Sequence, residues 1–137
     1  MSDELYQAKI VALAKSKAGA GKLAAPTKSA RRDNPLCGDR VTIDVKLDNG
    51  KIAEIAHQVR GCLLCQASAV ALASSAVGRD ASGVAELRHD AERAIGREAG
   101  KSHEPFDAFE PVANHKSRHD CVLLPFEALQ DALKLSS

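Results

Sequence analysis

The chain has 137 residues, enough for one domain with a real core and too few for two comfortable ones. Its 19 Lys+Arg nearly balance 18 Asp+Glu, so total charge gives no sign of a nucleic-acid or anionic-membrane surface. The longest apolar run, Ala67 to Val77, is interrupted by serines and falls far short of the roughly 20 residues that cross a bilayer.

The opening residues Met1-Ser2-Asp3-Glu4-Leu5-Tyr6 lack the basic start and apolar core of a secretory leader, which predicts a cytoplasmic protein. Thiols stay reduced there, so the four cysteines are candidates for ligands, nucleophiles or small core residues rather than disulfides. Residues 3–14 carry Tyr6, Ile10, Leu13 and Ala14 at helical spacing, with Ser2 as N-cap and Asp3 and Glu4 in the first turn. From about 15 to 33 the chain is rich in Gly, Ala, Ser and Lys around Pro26, and the expectation is a flexible segment inside a single domain, 1–137. Its basic residues Lys15, Lys17, Lys22, Lys28, Arg31 and Arg32 read either as a solvated stretch or as a docking surface for an acidic partner.

In Asn34-Pro35-Leu36-Cys37-Gly38-Asp39, Pro35 and Gly38 mark a turn ahead of a strand. Val41, Ile43, Val45 and Leu47 then alternate with Thr42, Asp44 and Lys46, which places one face on a core and the other in water. Asn49-Gly50 suits a type I′ turn, and the return strand, about Lys51 to Arg60, sets Ala53, Ile55 and Val59 on one face. A hairpin of this shape ends its two strands together, so Cys37, Asp39 and Cys62 should be neighbours.

Leu63 to Val77 is apolar nearly all round, the mark of a buried helix, with Gly78 as its stop. Ser82 to Ile95 reads as a surface helix with Val84, Leu87, Ala91 and Ile95 inward and Glu86, Arg88, Asp90, Glu92 and Arg93 outward. Residues 101–117 hold Pro105 and Pro111, and Phe106 and Phe109 are expected to pack over the core. The last helix, Asp120 to Leu135, points Val122, Phe126, Leu129 and Leu133 inward; Pro125 fits a first turn, which would start the helix close to Cys121. Cys62 and Cys121 are then both thiols at helix N-termini, where unpaired N–H groups favour thiolates.

Three cysteines and one carboxylate, each at a loop or helix start, make a soft donor set suited to zinc or an Fe–S cluster. The order Pro35-x-Cys37-Gly38-Asp39, hairpin, Gly61-Cys62, Ala67-Ser68 and Cys121 before an amphipathic helix resembles the U-type iron–sulfur assembly scaffold family, NifU N-terminal domain, IscU and SufU, over residues 5–135. The resemblance implies an α+β fold of the SufE/NifU-like type, a small antiparallel sheet with helices packed on one face. It carries Cys37, Asp39, Cys62 and Cys121 over as ligands of zinc or of a transient cluster, 2Fe–2S in type, with Cys37 and Cys121 as candidate sulfur acceptors. It further implies a scaffold or sulfur relay rather than a turnover enzyme, as a monomer or weak homo-oligomer. The implied partners are a PLP-dependent cysteine desulfurase and recipient apo Fe–S proteins or carriers. The long stretch between Cys62 and Cys121 looks like SufU, the zinc-holding end of the family. Asp120 stands where IscU-like members have His, and the chaperone-recognition stretch of those members is absent, so chaperone recognition is not implied. Cys62-Leu63-Leu64-Cys65 leaves Cys65 open as buried bystander, resolving thiol or alternative ligand. His57 reads as packing or solvated rather than as a ligand or proton shuttle. A structural zinc domain and a Cys-x-x-Cys dithiol oxidoreductase are the competing readings of function.

Overall fold

Alternation and the Asn-Gly turn produce the expected hairpin in the computed structural model, which describes residues 8–34 and 38–134. The sheet has three antiparallel strands in the order β1-β2-β3, with β1 at Lys28–Asn34, β2 at Asp39–Asp48 and β3 at Lys51–Arg60. Asn49 and Gly50 have φ of 54° and 79°, the two positive values a type I′ turn requires. Val41, Ile43 and Val45 are buried on the inner face, with Ile55, His57 and Val59 opposite them in register. A bulge between Lys46 and Leu47 shifts the register by one, so Ile52 and not Ala53 completes that face.

The flexible segment expected at about 15–33 does not reach its end: from Lys28 on, the chain forms the edge strand Lys28–Asn34. Its side chains are mostly exposed, so it is held by backbone pairing with β2 and leaves no apolar alternation to read. The residues before it also use the sheet: Gly19 and Gly21 bond the backbone of His57 at the free edge of β3. Leu23 N–H and Ser29 Oγ then both donate to the Asp44 carboxylate, and Asp44 is buried instead of facing water.

Four α-helices are described: α1 Ala8–Ser16, α2 Leu63–Ala76, α3 Ala81–Ala94 and α4 His119–Lys134. They pack on one side of the sheet, α2 against β3 and α4 against β1 and β2, while α1 rests on α2 and α3 on α4. The expected cap Ser2, with Asp3, Glu4 and Tyr6, lies outside the described residues; Ile10 and Ala14 are buried as expected. Gly78, after α2, takes φ 88°, and its N–H bonds the Ile52 carbonyl, so the turn also covers part of the β3 edge. The segment with Phe106 and Phe109 is a 3-10 helix, Phe106–Asn114, and both rings are buried, Phe106 with its centroid 5.6 Å from that of Phe126.

Two expectations for the helices are corrected. Asp90 of α3 is buried, because its carboxylate accepts from the backbone N–H of His103 at 2.9 Å and from Arg93 at 3.0 Å, closing the following loop onto the helix. Helix α4 begins at His119, so Pro125 is beyond its first turn. There the proline removes the amide that would bond the Cys121 carbonyl in an unbroken helix.

Candidate metal and thiol site

Asp39 opens β2, Cys62 is the N-cap of α2, and Cys121 lies in the first turn of α4. The antiparallel register returns the chain from Arg40 to Arg60, its cross-strand partner, and this puts Asp39 beside Gly61 and Cys62. Asp39 Oδ1 accepts from the Cys62 backbone N–H at 3.2 Å, and Oδ2 accepts from the Cys62 thiol at 3.5 Å. The side-chain donor atoms of Asp39, Cys62 and Cys121 all lie within 4.8 Å of one another.

Gly61 makes this approach possible. A Cβ built there would stand 2.6 Å from Asp39 Cγ, closer than real side chains come, and 3.0 Å from Asp39 Cβ, a tight contact. Gly61 has no positive φ, so its role is space and not conformation. Ser68 supplies the second device. It is fully buried six residues after Cys62 in α2, and its hydroxyl donates to the Val122 carbonyl at 2.5 Å, which fastens the first turn of α4 to α2 next to Cys121.

The Cys121 thiol is the largest influence on Cys62 and favours its thiolate. Burial opposes it, the Cys65 backbone amide favours the thiolate again, and the Asp39 carboxylate disfavours it; the pKa is lowered to about 7. Cys62 makes no capping hydrogen bond through its side chain, so the amide acts as a dipole aimed at the sulfur. Cys62 is partly exposed, whereas Cys121 and Cys65 are buried.

Two sulfurs and an oxygen within coordination reach of one another fit a thiophilic divalent ion or an Fe–S cluster better than calcium or magnesium, which take oxygen donors. Of the expected ligands, Asp39, Cys62 and Cys121 come together, and Cys37 lies outside the described residues. Asp120 is exposed and outside the cluster, and Cys65 belongs to the hydrophobic core. His57 is buried, with Nε2 2.9 Å from the Ala18 carbonyl; burial holds its pKa below the usual value against that bond, so it is a packed neutral ring.

Residues 5–134 match the NifU-like N-terminal domain family. The chain belongs to that family. It is 28% identical over 133 residues to the iron–sulfur cluster assembly scaffold protein IscU of Thermotoga maritima, an overlap of 95% of this chain and 93% of that one. It is 27% identical over 113 residues to the protein of the same description from Streptococcus pyogenes, covering 80% and 71% of the two chains. Among solved structures, the N-terminal NifU-like protein of Brucella abortus superposes with TM-score 0.87 at 31% identity, over 96% of this chain and 94% of its own. FiSufU of Fervidobacterium islandicum, described as an assembly scaffold for the SUF system, gives TM-score 0.88 at 30% identity over 97% and 99%.

In this NifU-like domain the sequence singles out Asp39, Cys62 and Cys121, which converge, but does not show what Gly61 and Ser68 do near them. Gly61 stood out only as a junction, and Ser68 only through the family's Ala-Ser pair. A close approach to a side chain 22 residues away leaves no local signal.

Proposed function

We propose that this domain is an iron–sulfur cluster assembly scaffold that accepts sulfur from a PLP-dependent cysteine desulfurase and holds iron and sulfide, or zinc, through Cys37, Asp39, Cys62 and Cys121. The observation that carries the reading is the convergence of Asp39, Cys62 and Cys121 donor atoms within 4.8 Å, on three separate elements. Cys37 joins the set on sequence, two positions from Asp39. The relatives' printed role as cluster assembly scaffolds supports the same reading.

Sulfur transfer would proceed by thiolate attack on the outer sulfur of the donor's persulfide. The new S–S bond forms as the donor's S–S bond breaks, the donor leaves as thiolate, and the proton stays on the transferred sulfur, so no outside oxidant is needed. Among the described thiols Cys62 is the one a donor reaches directly, because Cys121 and Cys65 are buried. Cys37 is the other candidate for first contact, and Cys121 would receive sulfur later. Asp39 is the weaker, exchangeable oxygen donor, and Asp39→Ala is expected to lengthen the lifetime of a bound cluster, read as slower loss of its visible absorbance to an apo acceptor. An unchanged lifetime would remove that role.

Purification without oxygen, followed by zinc, iron and labile sulfide analysis and a desulfurase turnover assay, tests the whole reading. Iron with sulfide supports cluster assembly; stoichiometric zinc with faster desulfurase turnover supports the relay. Zinc with no effect on the desulfurase leaves a structural zinc domain, and a Cys62–Cys65 redox couple alone would sink the proposal. The burial of Cys65 in the hydrophobic core speaks against that last outcome.

A further inference from the structure

The outer face of the sheet, opposite the helices, carries an unbalanced positive patch at the end where the thiol site lies. In register, Asp33, Arg40 and Arg60 form one rung across the three strands, and Arg31, Thr42 and Gln58 form the next. Directly opposed residues share a face, so Arg31, Arg40 and Arg60 stand together. Asp33 pairs with Arg40 at 2.8 Å. Among the described residues, Arg31 and Arg60 have no carboxylate partner.

Like charges directly opposite on neighbouring strands destabilise a sheet, and nothing in the fold requires two arginines at that rung. A groove of about 300 Å³, lined by Arg40, Thr42, Gln58, Val59 and Arg60, lies between them. Arg40 and Arg60 form the paired rung of β2 and β3 nearest the thiol site, and only Gly61 separates Arg60 from Cys62, so the patch ends at the rim of that site although the strand pleat turns Asp39 to the other face. A protein that brings a persulfide to Cys62 approaches the end of the sheet where Arg40 and Arg60 stand.

We infer that the Arg31, Arg40 and Arg60 face docks an acidic segment of the sulfur-donating protein, an inference that rests on the function proposed above. Three strands at about 4.8 Å spacing spread the guanidinium groups over roughly 10 Å, which outspans a single phosphate or carboxylate and matches successive acidic side chains of one segment. A nucleic acid fits the face poorly: the net charge is only +1, and the three phenylalanines, which could stack bases, are buried. A membrane fits poorly as well, because Val77 is the one large hydrophobic residue exposed among those described.

The test measures binding of the full chain to a PLP-dependent cysteine desulfurase of the same organism by calorimetry at low and raised salt, for wild type, R40E/R60E and the milder R40Q/R60Q. Zinc affinity and thermal melting are recorded for each protein. The expected result is wild-type binding that weakens with salt, a loss of on the order of tenfold or more in R40E/R60E, a smaller loss in R40Q/R60Q, and zinc affinity unchanged. Variants that fold, hold zinc and bind the desulfurase like wild type overturn the docking face while leaving the scaffold reading intact. Wild type that shows no binding at either salt overturns both. Binding of wild type to duplex DNA or to phosphatidylserine vesicles as tightly as to the desulfurase, lost in the same variants, also overturns it.

Discussion

Gly61→Ala is the sharpest probe of how the site is built. The added Cβ would meet Asp39 Cγ at 2.6 Å and Asp39 Cβ at 3.0 Å, and a short side chain held at 3% exposure has little room to swing away. Moving it gives up the bonds from the Cys62 backbone N–H at 3.2 Å and from the Cys62 thiol at 3.5 Å. Hydrogen bonds to charged groups contribute about 1.5–3 kcal/mol and a displaced rotamer costs about 0.5–1.5 kcal/mol, so the net loss of one such bond with the rotamer shift destabilises by about 2–4.5 kcal/mol. In urea this lowers the midpoint by about 1–2 M for a domain of this size. Zinc affinity, measured by competition with a chromophoric chelator, is expected to fall by roughly 10- to 100-fold, the usual effect of disturbing a ligand's support. The control is the same substitution in an Asp39→Ala background, where of these contacts the 3.0 Å one to Cβ remains and a few tenths of an ångström of relaxation absorb it. The cost there should drop to less than half. An equal cost in both backgrounds would refute the steric account and assign the glycine some other role.

Ser68→Ala removes the buried 2.5 Å bond that the hydroxyl adds to the Val122 carbonyl; a loss of about 0.5–1.5 kcal/mol in urea unfolding and severalfold weaker zinc binding are expected. Loss of stability without any loss of zinc affinity would mean the bond does not position Cys121. Because the Cys62 pKa is lowered to about 7, its alkylation by iodoacetamide in the metal-free protein should rise with pH through a midpoint near 7 and fall about tenfold per unit below it. Cys121→Ala should move that midpoint upward, since the Cys121 thiol is the largest stabiliser of the Cys62 thiolate; mass spectrometry of the modified peptide reads both. Asp90→Ala frees the backbone N–H of His103 from its 2.9 Å bond and should destabilise by about 1–2 kcal/mol while leaving zinc affinity untouched, since Asp90 is not part of the thiol cluster. Weakened zinc binding in that variant would show that the loop after α3 supports the site.

The sequence alone determined those elements whose own residues partition between core and water. Alternation in Val41, Ile43 and Val45 and the Asn49-Gly50 turn specify the hairpin, and the hairpin by itself places Asp39 next to Cys62. The near-continuous apolar run makes α2 a buried helix with Cys62 at its positive end. Tertiary structure decided the rest, because periodicity records how one segment meets solvent and not which distant groups it meets. β1 is held by backbone pairing that any side chains permit, so Lys28–Asn34 carries no pattern to read. Asp44 and Asp90 look like solvent-facing charges until amides from Leu23 and His103 reach them across the fold. Cys121 joins Cys62 through the docking of α4 on the sheet and on Ser68, a contact 54 residues long in sequence that neither helix encodes by itself.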